Sequence, residues 1–493
     1  MGKYKSMSQK KKEKVQHKED VARRVLVFQS VQHDPIFCDL LSRTVSADGE
    51  YAAVYHIFKH HWLDGTLKPE QTGEVFGALL AWAGEDAVKP NLSKMFCDAI
   101  SKRHGTQEEY RRNKRMLLNE ALLNAGVFDR KEFLRGLPTC FIRRLSTPYP
   151  PPHKYAAENG DVAARNFKFV YDRSLPDQRI SRKYMFNIDI SKLSYDVNED
   201  ESIILEDGDG PFLVVIRNAC KRLDVVSFVD DIIKEVVDSR TNIRKEDPGH
   251  MSQMGWSAGS RSSGILDWVR NVRRQKTSIA QHCEMNYRAS SAFAVLWSLS
   301  RTLLPEFVLD DLKEFMLEIG NGMRMDGNGM MKCDSKGRGQ YMITIQGVDY
   351  VFSGAMAELA PPAGVVAENY CRYIHKEKQP HEWAISLTTS RTFDSAYASE
   401  QAGGHFYVAS HGVRVQAKEN TLISWRPKDW HGTSLLLVDP MNKNKEYHQR
   451  GLSFVTSSRL PSAIEAHKAG LLSDAQLESV ATAPEEVESN EES

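Results

Sequence analysis

Two stretches of the chain repeat apolar residues at the three- and four-residue spacing of an α-helix. They lie at residues 225–236 and 309–319, and Gly320 follows the second as a helix stop. Polar residues fill the positions between, so each stretch predicts an amphipathic helix that buries one face. The apolar positions are Val225, Val229, Ile232, Ile233, Val236, Leu309, Leu312, Phe315, Met316 and Ile319.

After Gly320 the apolar spacing changes to two, as in a β-strand. Residues 341–345 and 348–352 alternate around Gln346-Gly347, which predicts a hairpin. Short runs rich in β-branched and aromatic residues then continue to about residue 458, separated by polar or glycine-containing breaks. Such runs predict a sandwich or a barrel, and they lie at 370–374, 383–388, 405–408, 413–416, 422–425, 434–438 and 452–455.

Breaks in composition divide the chain into five regions. Prolines at 148, 150, 151 and 152 interrupt both helix and strand, so we expect a boundary near 145. Residues 242–263 are rich in Gly, Ser and charge and predict a mobile loop. The predicted regions are a disordered basic arm (1–18), a helical region (19–145), a mixed middle region ending in that loop (146–264), a β-rich domain with preceding helices (265–462), and a short helix with an acidic tail (463–493). This pattern predicts an α+β protein.

Charge and cysteine content narrow the class of protein. Lys plus Arg and Asp plus Glu both total 65, so no global basic field indicates nucleic-acid binding, and such binding has to be local. Seven scattered cysteines without a CxxC pair argue against a disulfide framework or a zinc ribbon. No apolar run approaches the roughly 20 residues of a membrane span, and the lysine-rich start lacks the apolar core of a signal peptide. We therefore expect an intracellular protein, in the nucleus or the cytoplasm.

One pattern in the β-rich segment matches the needs of a mononuclear iron(II) site. Such a site uses two imidazoles and one carboxylate and leaves open positions for co-substrate and O2. His375-Lys376-Glu377 can supply two of these ligands from one face of a strand, and His431 follows in a later strand.

The triplet alone is weak evidence, because the chain contains it three times. His17-Lys18-Glu19 and His282-Cys283-Glu284 have the same spacing. His381 and His405 are alternative ligands if the strand register is shifted. Gly403-Gly404 can also be an ordinary turn.

The surroundings of His375 resemble the double-stranded β-helix, or jelly roll, of 2-oxoglutarate/iron(II) dioxygenases, and are most similar to the JBP/TET-like branch found in fungi. The resemblance covers about residues 340 to 460, in the order His-x-Glu, Gly-Gly, His-Gly and Arg. Its segments are 369–377, 383–388, 403–406, 412–415, 425–427, 431–433 and 450–453.

The resemblance implies a role for particular residues. His375, Glu377 and His431 would hold iron, and Arg450, with Ser453 in the same segment, would bind 2-oxoglutarate; Arg459 is the rival for Arg450. Arginine suits a carboxylate because its planar fork forms two parallel charge-assisted bonds. Two features depart from the family: Glu377 stands where Asp is usual, and a charged insertion at 442–449 separates His431 from Arg450.

The implied activity is hydroxylation of an unactivated C–H bond with Fe(II), 2-oxoglutarate and O2, on a modified nucleobase such as 5-methylcytosine. The alternatives are a catalytically degenerate scaffold that binds nucleic acid or protein, and an oxygenase that acts on protein or a small molecule. The local basic patch that could meet DNA consists of Arg270, Arg273, Arg274 and Lys276.

Overall fold

The structure, a computed structural model, describes residues 130–166, 184–259, 264–269, 279–438 and 447–472. The predicted basic arm, the helical region up to residue 129, the basic patch at 270–276 and the acidic tail after residue 472 lie outside these ranges. Within them, no helix has the length and apolar character that crossing a membrane requires.

Six α-helices occur in the described ranges. They are Arg130–Arg135 (α1), Val162–Arg165 (α2), Leu223–Ser239 (α3), Ile279–Leu303 (α4), Glu306–Ile319 (α5) and Leu460–Lys468 (α6). The two amphipathic helices predicted from the sequence are confirmed as α3 and α5. The apolar residues that predicted them are buried, and α5 ends at Gly320 with a φ of 100°.

Eighteen strands occur in the same ranges. In the first half they are Thr139–Phe141 (β1), Tyr155–Ala157 (β2), Met185–Asn187 (β3), Tyr195–Val197 (β4), Ile203–Asp207 (β5), Gly210–Ile216 (β6), His250–Gly259 (β7), Gly264–Trp268 (β8) and Arg338–Ile345 (β9). The others are Val348–Glu358 (β10), Ala363–Glu368 (β11), Arg372–His375 (β12), Ala384–Arg391 (β13), Phe406–Val408 (β14), Val413–Val415 (β15), Thr421–Trp425 (β16), His431–Thr433 (β17) and Gln449–Phe454 (β18).

Two large sheets contain most of these strands. The nine-stranded sheet has the order β1-β5-β6-β16-β13-β18-β11-β7-β8, and the five-stranded sheet has the order β12-β17-β14-β15-β4. One apolar cluster holds residues of both sheets, including Leu205 and Phe212 from the larger and Val408 and Val415 from the smaller. The sheets therefore share a core, as the strand-rich pattern predicted, and the protein is α+β.

Helices cover one face of the nine-stranded sheet. Helix α3 contacts β11, β13 and β18. The rings of Phe293 and Trp297 on α4 lie 6.0 and 6.1 Å from the ring of Phe454 on β18. Because side chains alternate along a strand, Leu452 and Phe454 face these helices while Gly451 and Ser453 face the other way. That second face lines a cavity.

The predicted mobile loop at 242–263 is wrong, because strand β7 occupies ten of its 22 residues. Six residues of β7 pair with β11, from His250 opposite Glu368 to Gly255 opposite Ala363. Gly255, one of the glycines that suggested a loop, instead allows its backbone to lie close to that of Pro362. A Cβ on Gly255 would be 2.1 Å from the carbonyl oxygen of Pro362.

The strand predicted at 434–438 is also wrong. The ladder contains His431–Thr433 instead, and the apolar residues that follow are buried without forming a strand. Leu435, Leu436 and Leu437 pack in a cluster with Tyr155 and Tyr373, so burial rather than sheet pairing explains their apolar character.

In the described residues, the only sheet confined to the middle region at 146–264 is the small parallel pair β2–β3. The region's strands β4, β5, β6 and β7 belong to the two large sheets, together with strands from beyond residue 363. The sheets therefore cross the boundary that we expected between residues 264 and 265.

The turn before β7 supplies a test of close packing between segments. Gly249 and Gly329 have φ values of +85° and +84°, but a Cβ on Gly249 would lie 2.1 Å from the carbonyl oxygen of Asn369, whereas Gly329 has open space. We expect Gly329→Ala to lower the free energy of unfolding by about 1 kcal/mol. Gly249→Ala should cost a further ~2 kcal/mol or more, because it adds the steric clash. Urea unfolding of both variants measures the difference, and equal losses would contradict the packing described.

Candidate functional site

Two predicted ligands face each other across one strand pair. His375 is the last residue of β12, His431 is the first of β17, and the two are direct partners in the antiparallel register. Their ring centroids are 4.5 Å apart. They are 56 positions apart in the sequence, and the pairing of the two strands brings them together.

Glu377 lies two residues beyond His375, just after β12 ends. Its amide donates to the carbonyl oxygen of Pro427 at 2.9 Å. This hydrogen bond fixes the residues after β12 beside the segment that leads into β17. Its Oε1 lies 3.2 Å from Nε2 of His375, and the ligand atoms of all three residues lie within 4.8 Å of one another. Neighbouring ligands about 2.1 Å from one octahedral metal ion are themselves about 3 Å apart, so the pair fits such an ion.

Hydrogen bonds to the backbone orient both imidazoles. Nδ1 of His375 lies 2.8 Å from the carbonyl oxygen of Tyr373, and Nδ1 of His431 lies 2.8 Å from that of Asp429. A carbonyl oxygen only accepts, so Nδ1 carries a proton in each ring and Nε2 is the atom that faces the site. This is the arrangement by which proteins prepare histidine for a metal ion.

The ionisation states also suit a metal ion. Burial, together with the charge of His375, lowers the pKa of His431 to about 3, so its ring is neutral at pH 7. Burial opposes ionisation of Glu377, but the hydrogen bond with His375 and the nearby positive charges outweigh it and hold its pKa well below the ordinary value. Two imidazoles and one carboxylate are the donor set of mononuclear iron(II) oxygenases.

A buried ionic network supports the start of β12. Asp247 accepts hydrogen bonds from the hydroxyls of Tyr155 at 2.6 Å and Tyr370 at 2.9 Å, and from Arg372 at 2.6 Å. Arg372 is the first residue of β12, three positions before His375. Sequence reasoning missed Asp247, because it lies 125 positions from its partner within a segment that we predicted as a loop.

The three residues lie in the wall of a cavity of about 1590 Å³ between the sheets. Trp425, Phe406 and Tyr373 surround the histidines. Strands β11, β13, β16 and β18 contribute one wall, through Ala367, Thr388, Ile423, Ser453 and their neighbours.

Ser453 lies where the resemblance implied, but Arg450 does not fit its implied role. Ser453 lines the cavity, and its hydroxyl is 2.8 Å from that of Ser386. Arg450 borders the cavity, yet its Nε donates to Glu368 at 2.6 Å and its Nη1 to Asp230 of α3 at 2.8 Å. It follows strand alternation onto the helix-covered face, so two carboxylates of the protein already neutralise its charge.

The alternative ligands are used elsewhere. His381 bonds through Nδ1 to the carbonyl oxygen of Trp383 at 2.8 Å and through Nε2 to Thr456 at 3.0 Å. His405 also uses both ring nitrogens, accepting from the amide of Ala417 and donating to the carbonyl oxygen of Glu400. Both rings are therefore structural.

The remaining sequence candidates also have structural environments. His282 and Glu284 lie on helix α4, where residues two apart point in different directions. Arg459 donates to the carbonyl oxygen of Gly259 and borders the cavity. The Gly403-Gly404 pair has positive φ at both residues and leads into β14.

Comparisons with known proteins gave structural likenesses alone. No protein-family model matches the chain, and no curated protein matches it in sequence. Among solved structures it is similar to NgTET1 in complex with 5mC DNA, at 8% identity and a TM-score of 0.31, covering 69% of this chain and 100% of that one. It is also similar to a viral collagen prolyl hydroxylase of Paramecium Bursaria Chlorella virus-1 in a 2OG complex, at 8% identity and a TM-score of 0.21, covering 50% of this chain and 95% of that one.

The network around Asp247 predicts a large loss of stability on substitution. Asp247→Asn removes the carboxylate that neutralises buried Arg372, so we expect the free energy of unfolding to fall by about 3–5 kcal/mol. Asp310→Asn is the matched control, since Asp310 pairs with Lys313 on the exposed face of α5 at 3.1 Å. That change should cost less than about 1 kcal/mol. Chemical unfolding measures both, and similar losses would show that the buried pair is not structural.

Proposed function

We propose that the protein is an Fe(II)- and 2-oxoglutarate-dependent oxygenase. The observation that carries the proposal is the grouping of His375, Glu377 and His431 in a cavity wall, where one ligand atom from each lies within 4.8 Å of the others. Both histidines have the tautomer, and the carboxylate has the charge, that a divalent metal ion needs.

The order of the strands supports the double-stranded β-helix, or jelly roll, as the core. Strands β11, β13, β16 and β18 belong to the large sheet, and β12, β14, β15 and β17 belong to the small one. The chain therefore alternates between the sheets at every step except from β14 to β15. These strands give two four-stranded arrays, β16-β13-β18-β11 and β12-β17-β14-β15. Double-sheet jelly rolls have eight strands arranged in two sheets, as these do.

A bound Fe(II) ion would supply open positions for 2-oxoglutarate and O2, and with them the power to oxidise an unactivated C–H bond. The residues of this chain hold the ion, orient its ligands and exclude water from one side. The rings of Trp425 and Phe406 exclude the water, because they lie 5.8 and 6.0 Å from the ring of His431. A degenerate scaffold would have no need for intact ligand geometry, so this geometry favours an enzyme.

The rim of the cavity favours an anionic substrate that contains a flat ring. Lys376, Lys378 and Lys428 are exposed there, and Trp430 lies beside them. The ammonium group of Lys376 is 5.1 Å from the centre of the Trp430 ring. Lysines can contact phosphates, and aromatic rings can stack on a base.

Nucleic acid is therefore the proposed substrate, with a modified base such as 5-methylcytosine flipped from the duplex into the cavity. The contacts come from this rim and from the patch of Arg270, Arg273, Arg274 and Lys276, which lies outside the described residues. With a DNA substrate, we expect the nucleus rather than the cytoplasm as the location of the protein.

The metal site is tested by removing one ligand at a time. His375→Ala and His431→Ala should each weaken Fe(II) binding by more than about 100-fold, because the loss of one ligand leaves two. His282→Ala is the control: it alters a His-x-Glu triplet on helix α4 and should change nothing. Anaerobic titration of each protein with Fe(II) and 2-oxoglutarate, read by the metal-to-ligand charge-transfer absorption, is the measurement. Stoichiometric iron in both site variants would refute the assignment.

The substrate is tested by the salt dependence of DNA binding. The logarithm of affinity should fall linearly with the logarithm of salt concentration. Lys376→Ala with Lys378→Ala should lower the slope by about two, because each lysine neutralises one phosphate. Lys192→Ala with Lys336→Ala is the control, since both residues are exposed and lie away from the cavity. Fluorescence anisotropy with a methylated duplex gives the slopes. Equal slopes, or no DNA binding by the full chain, would favour a protein or small-molecule substrate.

A further inference from the structure

The end of the cavity opposite the metal ligands contains a buried arginine. Arg217 follows β6 and is 5% exposed, and it lines the cavity. Its Nη1 donates to the hydroxyl of Thr421 at 3.1 Å, and its Nη2 donates to the carbonyl oxygens of Val197 at 3.4 Å and Asn198 at 2.7 Å. The guanidinium thus bridges the large sheet and the small one.

Part of the hydrogen-bonding capacity of Arg217 is unused. Its Nε is buried and has no partner in the part of the chain that the structure describes. Nη1 carries two hydrogens, and Thr421 accepts one of them. A buried guanidinium with unused donors is costly unless an anion completes it.

The acidic residues nearest to Arg217 do not neutralise it by direct contact, since each has another partner. Glu199 accepts from Ser399, Asp200 pairs with Lys418 at 2.6 Å, and Glu201 accepts from Tyr195 at 2.6 Å. Burial lowers the pKa of Arg217 to about 10, although these three charges oppose the shift. The side chain is therefore still a cation at pH 7.

Three other arginines that line the cavity differ from Arg217 in having a carboxylate partner, while Arg459 donates to the carbonyl oxygen of Gly259. Arg372 pairs with Asp247, Arg244 with Glu246, and Arg450 with both Glu368 and Asp230. Their charges are neutralised within the protein, so they offer less to an incoming anion.

Arg217 and the metal ligands lie along one wall of the same cavity. Thr421, Ile423 and Trp425 line that wall in sequence along β16. Trp425 lies beside His431, and Thr421 contacts Arg217. Four residues of strand span about 13 Å, so the guanidinium lies farther along β16 than the metal ligands do.

We infer that Arg217, with Thr421, binds the carboxylate of 2-oxoglutarate that is remote from the metal ion, and that Arg450 is a structural residue. The inference rests on the proposed function. It assigns the binding of this carboxylate to a residue that follows β6. In the sequence, β6 precedes the eight core strands β11 to β18. This assignment also makes this end of the cavity selective for 2-oxo acids that carry a second carboxylate.

The test compares two co-substrates in two pairs of variants. Pyruvate has the 2-oxo acid group of 2-oxoglutarate but no second carboxylate. Wild-type protein loaded with Fe(II) without oxygen should bind 2-oxoglutarate more tightly than pyruvate by about 30-fold or more, as expected for a charge-assisted pair. Arg217→Gln should remove most of that preference by weakening 2-oxoglutarate alone, and Arg217→Lys should remove part of it.

Arg450→Gln and Arg450→Lys are the matched controls. They should keep the preference for 2-oxoglutarate while lowering the melting temperature, because Arg450 neutralises the buried carboxylate of Glu368 and the partly buried one of Asp230. Thr421→Val adds a mild change at the same end and should reduce the preference several-fold. It remains informative if Arg217→Gln fails to fold.

The outcomes distinguish failure of the role inferred for Arg217 from failure of the proposed function. The inference is wrong if the Arg217 variants keep the wild-type preference, if they weaken both acids equally, or if the Arg450 variants lose the preference. Absence of 2-oxoglutarate binding by the Fe(II)-loaded wild type would instead overturn the proposed function, and with it the role inferred for Arg217. Fe(II) affinity should be unchanged in all variants, and circular dichroism verifies the fold.

Discussion

The antiparallel register between β12 and β17 is the constraint on which the site depends. It places His375 directly opposite His431, and a slip of one residue would turn one ring to the other face of the sheet. Gly432 permits the close fit of these strands, since a Cβ there would lie 2.8 Å from the carbonyl oxygen of Arg372. The glycine beside the second histidine thus has a packing role, whatever binds at the site.

Buried charges then hold the two sheets in position around this register. Asp247 with Arg372 fixes the start of β12, and Arg450 with Glu368 and Asp230 joins β18, β11 and α3. Removing a charge from water is unfavourable unless a partner of opposite sign is close, so each cluster tolerates few alternative arrangements. Arg217 differs because its described partners are neutral oxygens.

The sequence predicted what depends on local pattern. Helices α3 and α5, the β9–β10 hairpin and the positions of most strands from β12 to β18 followed from the spacing of apolar residues. The grouping of His375, Glu377 and His431 was also predicted, from the His-x-Glu spacing together with the family resemblance of the segments around it, although Glu377 lies just beyond the end of β12. In β7, by contrast, Gly255 and Gly259 hid a strand whose pairing depends on a segment more than 100 residues away.

The face that a strand residue presents was harder to predict than the strand itself. Arg450 and Ser453 were chosen from one short motif, yet an odd separation of three places them on opposite faces of β18. Asp247 and Arg217 carried no signal at all, because their partners lie far away in the chain, 125 and 204 positions for Arg372 and Thr421. Side chains that act through such contacts are visible only after the chain has folded.

The hydrogen bonds that orient the two histidines have a consequence for how this site can vary. Both acceptors, in Tyr373 and Asp429, are main-chain carbonyls, and every amino acid has one. A substitution at either position changes the side chain but keeps the acceptor, so long as the backbone path is unchanged. Ring orientation therefore does not depend on the side chains of Tyr373 and Asp429, which have contacts of their own: Tyr373 packs in the cluster with Leu435, and Asp429 accepts a hydrogen bond from Arg144.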